Sequence, residues 1–441
     1  MGVYRRGWHT LVEFGSMASI RPFLGLRYAS DCGPLDGLTA PPYDVLSSEQ
    51  RDQYAARNNH NVVHLTLPEQ KEDDRSKYVK YLRSSALLTE WRKSGALELE
   101  SSPAFYRYIQ HFTIPGSPVP LVRTSIITLI KVEPYENGVV LPHEQTFPKH
   151  KEDRMRILEA TRSHLECIFG LFDDPSGDVL KAIIDAPSTE SLETHSDDGV
   201  THFLEPITGQ ESIQTIKDLI KDKKVWIADG HHRYETALAY RQGKGASDEL
   251  IPEDYLMMAL CSISDPGLVL LPTHRMVKTL PLGVEESVAQ LSTVFNLVET
   301  AGSDLMSAIE DSASKGVPAF GVLFKGGQGF VLTEKNPGEI KGLIATSDSD
   351  FLKDLDVTVL HQVILSKLLQ VKGLDSIAYT RDAQEAVDAV QGDIEASFLM
   401  NPPSVEDMKV IALGGEKMPQ KSTYYFPKIL SGLVIWSLND F

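Results

Sequence analysis

Cysteine is scarce in this chain. Cys32, Cys167 and Cys261 are the only three in 441 residues, and they are widely spaced. An odd count at such spacing excludes a disulfide framework and any cysteine-based zinc pattern. Cys167 and Cys261 stand in the apolar runs Cys167-Ile168-Phe169 and Leu260-Cys261-Ser262-Ile263, where a thiol is expected as plain buried packing. A reducing compartment, the cytoplasm, is the expectation that follows. Long apolar runs are missing as well. No stretch of about 18 apolar residues occurs, so neither a transmembrane helix nor a membrane partner is expected. Basic charge is in deficit: 43 Lys and Arg stand against 61 Asp and Glu, a formal net charge of −18. Nucleic acids are held mainly through neutralised phosphates, so this balance argues against a DNA or RNA partner. It leaves room for a local basic pocket around a small anion.

What is present is ordinary globular composition, 42% hydrophobic and 24% charged. The length suggests two or three domains of roughly 100–200 residues each. Residues 1–19 read as a non-structural extension, mildly basic through Arg5, Arg6 and His9, with Met17 an alternative start. Residues 20–275 read as a phosphate-binding core, and 276–441 as an α+β C-terminal portion.

Alternating signals follow along the chain. Ala40-Pro41-Pro42-Tyr43-Asp44 reads as an extended loop. Ser47 and Ser48, with Glu49 and Gln50 after them, read as the N-cap signal of a helix to about Arg57, and Val62-Val63-His64-Leu65 as a short strand. The stripe of Tyr78, Tyr81, Leu82, Leu87, Leu88 and Trp91 predicts a helix packed on the core and closed by Gly95. Phe105–His111 and Thr124–Val132 read as strands joined by a hairpin loop at Pro115-Gly116-Ser117-Pro118. Residues 173–199, rich in Asp, Ser, Pro and Gly, read as a surface excursion. Helices are expected near 210–221, 284–295, 358–369 and 383–390. Strands are expected at 320–324, 329–333, 377–380 and 396–400. The mixture is α/β or α+β.

The densest chemistry lies at Asp229-Gly230-His231-His232-Arg233-Tyr234-Glu235, directly after the apolar strand Val225-Trp226-Ile227-Ala228. Glycine lets a backbone approach an anion closely and takes positive φ. A helix N-terminus offers free N–H groups and positive dipole. Arg233 adds a forked cation suited to phosphate. His231 or His232 can bond a phosphate or move a proton near neutral pH. The bland alternative is a helix cap over an Arg233–Glu235 ion pair.

Other motifs add candidates. Glu144, in His143-Glu144-Gln145-Thr146-Phe147, is either an acid/base group or a loop carboxylate tying a helix end. His143 and Glu144 lack the partners of a zinc-protease pattern. Lys151 and Arg154 share a helix face and either serve Glu144 or a substrate anion, or are solvated charges, with Asp153 paired to one of them. Asp44 is either aimed at a ligand or capping the next helix as an Asx turn. Thr273-His274-Arg275 ends an apolar strand, where ligand crevices of open sheets form. Lys421-Ser422-Thr423 lacks the glycines of a Walker loop and is not a P-loop; the cluster either closes over a phosphate from a second domain or has no part in binding. Tyr424-Tyr425-Phe426 reads as core.

The turn resembles the Gly-x-x-Arg-x-x-Ala phosphate turn of the ParB/sulfiredoxin superfamily. Gly230 and Arg233 match, Thr236 takes the Ala position, and His231 stands where sulfiredoxins carry cysteine. The Asp-Gly-His-His-Arg form is most similar to the free-serine kinase branch. Over its length from Ile20 the chain also resembles a narrower family catalogued as domain of unknown function 1015. The matching motifs are Pro41-Pro42-Tyr43-Asp44-Val45, His143-Glu144-x-Thr146, Lys151-Glu152-Asp153-Arg154, Ile168-Phe169-Gly170-Leu171, Asp229 to Tyr234, Leu271-Pro272-Thr273-His274-Arg275, and Met418-Pro419-Gln420-Lys421-Ser422-Thr423-Tyr424.

These resemblances imply a ParB/sulfiredoxin-like core and a phosphotransferase acting on a small hydroxylated metabolite such as serine. The expected phosphate holders are Gly230, His232 and Arg233, with Arg275, Lys421 and Arg154 as further cations. The expected bases are His231, Glu144 or Asp44. The expected cofactor is a nucleotide, ATP or ADP, with Mg²⁺ on Asp229. Two alternatives stay open: a nucleotide-binding regulatory or scaffold protein without turnover, and a phosphatase using the same pocket.

Overall fold

Eight consecutive residues, Arg123–Ile130, are buried in the strand Pro120–Lys131, which marks a central strand covered on both faces. The computed structural model describes residues 18–441 except 116, 147, 247–248, 345–346, 374–375 and 420, and leaves out the side chain of residue 149. Met17, Gly116, Phe147 and Gln420, which entered the sequence reading, lie outside the described residues, as does the rest of 1–17.

Around Pro120–Lys131 a nine-stranded mixed sheet assembles. Its order is Val140–Leu141, Val225–Asp229, Ile168–Phe172, Tyr255–Ser262, Pro120–Lys131, Phe105–Thr113, Thr201–Ile207 and Leu192–His195, with Ile20–Arg21 added on Pro120–Lys131. Most pairs are antiparallel. Val225–Asp229 runs parallel to Val140–Leu141, and Tyr255–Ser262 parallel to Ile168–Phe172. The period of two sends alternate residues to opposite faces. Ile126, Ile130, Leu256, Met258 and Leu260 pack with the helices Asp178–Asp185, Gln210–Ile220 and His231–Gln242. Ile127, Leu129, Met257, Ala259 and Cys261 face the other side, where the C-terminal half covers them.

That half carries a second, wholly antiparallel sheet: Phe295–Glu299, Gly329–Glu334, Ala319–Phe324, Ala396–Leu399, His274–Val277 and Ile377–Thr380. The boundary expected at 275 falls inside His274–Val277. The last residues then return to the first sheet's side. Met418 N–H donates to His143 O, Val269 pairs with Phe426, Ile435 with Leu26, and Trp436 with His164. Residues over a hundred positions beyond the boundary therefore pair with segments that flank the first sheet.

The expected strands and helices are largely in place, and the architecture is α/β with mixed sheets. Ser47 and Gln50 form a capping box on Ser48–Arg57, so Ser47 and not Asp44 caps that helix. Gly95 closes Val79–Ser94 in the left-handed conformation. Four expectations need correction. Val63–Thr66 is one helical turn and not a strand, because Asn61 Oδ1 accepts the Val63 N–H and bends the chain into it. The excursion at 173–199 contains the helix Asp178–Asp185 and the strand Leu192–His195, since Val179 and Ile183 find an apolar sheet face. Of the stripe on Val79–Ser94, Tyr81, Leu88 and Trp91 are buried, while Tyr78 and Leu82 are exposed. Ala18 is buried and Ser19 O accepts the Lys131 N–H, so the last two residues of the expected extension already belong to the fold.

Candidate functional site

The strand Val225–Asp229 runs into Gly230, which opens the helix His231–Gln242 at φ +93°. A Cβ there would meet the Arg233 guanidinium at 3.0 Å, so the position requires glycine for its backbone and for its space. Helix side chains point back toward the N-terminus, and Arg233 follows that rule by folding beneath the turn. Its Nη1 donates to Cys167 O. Burial works against its charge, but Glu166 and Asp229 hold its pKa above the usual value. The guanidinium thus lies behind the turn and not on the cavity surface, contrary to the expected direct phosphate contact. Glu235 is not its partner either. Residues two apart do not face each other on a helix, and Glu235 bonds Thr146 and Lys151, with Lys417 3.6 Å away.

The turn forms one wall of a cavity of about 440 Å³. Tyr43, Asp44, Glu144, His150, Asp229, Gly230, His231 and His232 line it from the first unit. Thr273, Arg381, Lys421, Thr423, Tyr424 and Lys428 line it from the C-terminal half. The structure therefore brings Asp44, Glu144, Asp229, Gly230, His231, His232 and Lys421 into one place from four separated stretches of sequence.

Glu144 is held in an unusual environment. Its Oε1 accepts the Lys421 N–H, and Lys421 has φ +57° to present that amide. Burial pushes the carboxyl up to about 7 against that hydrogen bond. His231 Nδ1 lies 3.8 Å from Glu144 Oε2. His231 Nε2 accepts the His143 N–H at 3.3 Å. An imidazole nitrogen that accepts leaves the proton on the other, so His231 turns an N–H toward Glu144. Burial and the neighbouring His143 keep its pKa well below the usual value. His231 is thus neutral with no lone pair facing Glu144, which corrects its expected role as base. His232 lines the cavity with His150 beside it at 5.1 Å between ring centroids. Burial, then His150, lowers it to about 4, so it too is neutral near pH 7.

Asp229 Oδ2 accepts from Lys428 Nζ at 2.9 Å. Burial opposes ionisation, but Lys428 and Arg233 hold the carboxyl well below the usual range. One Asp229 oxygen is thereby committed to an ammonium. Among the described residues no group of three His, Cys, Asp or Glu gathers to hold a metal ion. These residues fit a divalent cation only where the ligand's own phosphates supply most donors, as phosphate-borne Mg²⁺ requires one or two carboxylates. Asp44 is exposed, on the turn Tyr43–Val45 at the cavity mouth.

Two expected cations are elsewhere. Arg154 is buried against Asp153, Glu166 and Thr66 O, with its guanidinium 3.8 Å from the Tyr43 ring centroid. Arg275 is buried, donating to Thr273 O and Lys421 O and lying 3.2 Å from His361 Nε2. Burial lowers its pKa to about 10. Neither lines the cavity; both brace its wall. Sequence reasoning missed Lys428, Arg381 and His150 and read Tyr424 as core. Lys428 left a usable signal as the lone charge in the apolar run Phe426-Pro427-Lys428-Ile429-Leu430. Arg381 left none.

Cys167 and Cys261 are buried thiols pushed up to about 12 by burial, inert as expected. Among the described residues no helix is long and apolar enough to cross a membrane.

No curated protein matches the chain. Among solved structures it is similar to a free serine kinase variant in complex with ADP, at 14% identity and a TM-score of 0.37, covering 71% of this chain and 92% of the kinase. It is also similar to a conserved hypothetical protein from Pyrococcus furiosus, at 16% identity and a TM-score of 0.35, covering 71% and 97%. A third is SbnI with a C-terminal truncation from Staphylococcus aureus, at 12% identity and a TM-score of 0.35, covering 69% and 85%. The family described as "Protein of unknown function (DUF1015)" matches residues 20–358, a span that holds the glycine turn, Glu144 and the whole first sheet. On that match the chain belongs to the DUF1015 family.

Proposed function

We propose that the cavity binds a nucleotide by its phosphates and passes a phosphoryl group to the hydroxyl of a small metabolite, serine being the first acceptor to test. One observation carries the reading. Glu144, with its carboxyl raised to about 7, lines the same cavity as the N-terminus of His231–Gln242 and the ammonium groups of Lys421 and Lys428. A base works best when its pKa lies near the working pH. Free helix N–H groups and cations favour the charge that spreads over the transferred group.

In the transfer, the acceptor oxygen forms a bond to the terminal phosphorus as the bond to the bridging oxygen breaks. The shortened nucleotide leaves, and the acceptor proton passes to Glu144. Arg233 adds positive potential from beneath the turn without touching the ligand. Asp229, braced by Lys428, offers at most one oxygen to a cation carried in on the phosphates. The motif Asp229-Gly230-His231-His232-Arg233 supports the same reading by its likeness to the free-serine kinase turn.

The test is product analysis of purified protein with Mg²⁺, ATP or ADP, and serine. Phosphoserine formed by wild type, lost in Glu144→Gln while the ADP-induced thermal shift survives, is the expected result. A thermal shift without product would move the reading to a nucleotide-binding sensor. Phosphate released from phosphoserine without nucleotide would make it a phosphatase.

A further inference from the structure

Arg381 follows the strand Ile377–Thr380 of the second sheet and lines the cavity, although it belongs to none of the sequence motifs. It lies beyond residues 20–358, the span matched by the family. Its Cζ stands 4.1 Å from the centroid of the Tyr424 ring, and Lys428 Nζ stands 4.3 Å from the same centroid. The two cations share one aromatic ring but differ in one respect. Lys428 has a counter-charge in Asp229. The described residues give Arg381 no hydrogen bond and no ion pair, and its Nε is buried without a partner.

The neighbouring acids do not fill the gap. The Asp382 carboxylate accepts the Gln384 and Glu385 N–H groups as a helix cap, and Glu385 bonds Thr380. Arg381 is half-buried, with only its Nε out of water, so the terminal nitrogens of the fork remain accessible, and forked donors match a planar carboxylate with two parallel hydrogen bonds. Its contact with the Tyr424 ring face, 4.1 Å from the centroid, anchors the guanidinium at the cavity wall.

We infer that Arg381, held against Tyr424 at the cavity wall, reads a carboxylate on the small-molecule ligand. The acceptor class narrows to hydroxylated carboxylic acids, amino acids among them. The inference rests on the phosphate-binding reading above, because phosphate held at the Gly230 turn leaves Arg381 to the ligand's other end. The second sheet then contributes acceptor recognition to a site whose phosphate-holding turn belongs to the first.

The experiment compares phosphoserine with phosphoethanolamine, which differ by the carboxylate alone. Binding of each, and of ADP, is measured by calorimetry on the full chain, in wild type, Arg381→Met and Arg381→Lys. Wild type is expected to bind phosphoserine about tenfold to a hundredfold more tightly than phosphoethanolamine, the range for a charged hydrogen-bonded contact. Arg381→Met should erase that difference, and Arg381→Lys should keep part of it, as a point charge without the fork. ADP affinity should stay within about twofold in both variants. Equal wild-type affinities for the two esters, or no phosphoserine binding, overturns the inference. So does a parallel loss of ADP affinity in Arg381→Met, which would assign Arg381 to the nucleotide phosphates. Discrimination by wild type without any ADP binding would keep the carboxylate contact and remove the nucleotide reading.

Discussion

Lys428 places its ammonium 2.9 Å from Asp229 Oδ2, joining the last stretch of the chain to the strand that leads into the glycine turn. The pair is largely buried, with side chains 13% and 19% exposed. Removing one member leaves the other charge without compensation. Lys428→Met is therefore expected to cost about 3 kcal/mol, read as a fall in thermal midpoint. Asp229→Asn with Lys428→Met should cost less than the sum of the two single changes. Strict additivity would show that the two groups do not interact.

Gly230 gives a prediction about backbone. Alanine must adopt φ near +93° and push its Cβ against Arg233. Strain of that kind costs about 1–3 kcal/mol, so Gly230→Ala should melt earlier than wild type. It should also lose the ADP-induced shift, since the turn can no longer present its N–H groups. An unchanged shift would place the ligand elsewhere in the cavity.

The pH dependence follows from Glu144. Its folded pKa is raised from 4.5 to about 7, so the folded protein holds a proton that the unfolded chain has released. Stability therefore falls as pH rises through that window, and Glu144→Gln should narrow the gap between pH 5 and pH 8 midpoints. Phosphoryl transfer should move the opposite way, rising as pH passes about 7, because the base must be ionised. Glu144→Gln should lower the rate by about 10²–10⁴-fold. His231→Gln should slow the reaction without removing the pH limb, since its imidazole stays neutral throughout. A limb that disappears with His231 instead would return the role of base to that residue.

The turn was readable because its information is local. An apolar strand, one glycine and a run of polar residues occupy consecutive positions, and the structure keeps them consecutive. Val63–Thr66 misled for the same reason: its β-branched residues suggest a strand, and only the Asn61 side chain reverses that. The other cavity wall was not readable. Arg381 and Lys428 reach Tyr424 because a second sheet and a returning C-terminal segment pack on the first, and no spacing in the sequence records that meeting. Arg154 and Arg275 erred in the opposite direction. A conspicuous arginine beside a motif looks like a ligand contact, yet both spend their donors on carbonyls and carboxylates of the wall.

Arg275 has consequences through that bracing. Its Nη2 donates to Lys421 O at 3.0 Å, and the Lys421 N–H in turn donates to Glu144. The peptide segment between them is held in the left-handed conformation, which a non-glycine residue keeps only when its surroundings impose it. Arg275→Lys retains the charge but cannot span Thr273 O and Lys421 O together. The Lys421 amide should then drift from Glu144, removing the hydrogen bond that holds the carboxyl down. The acidic limb of the pH–rate profile should shift to higher pH in Arg275→Lys, while ADP affinity stays close to wild type. A lower rate with an unmoved limb would mean that Arg275 supports the fold of the wall without tuning Glu144. A shifted limb would tie the proton affinity of the base in the first unit to an arginine on a strand of the second sheet.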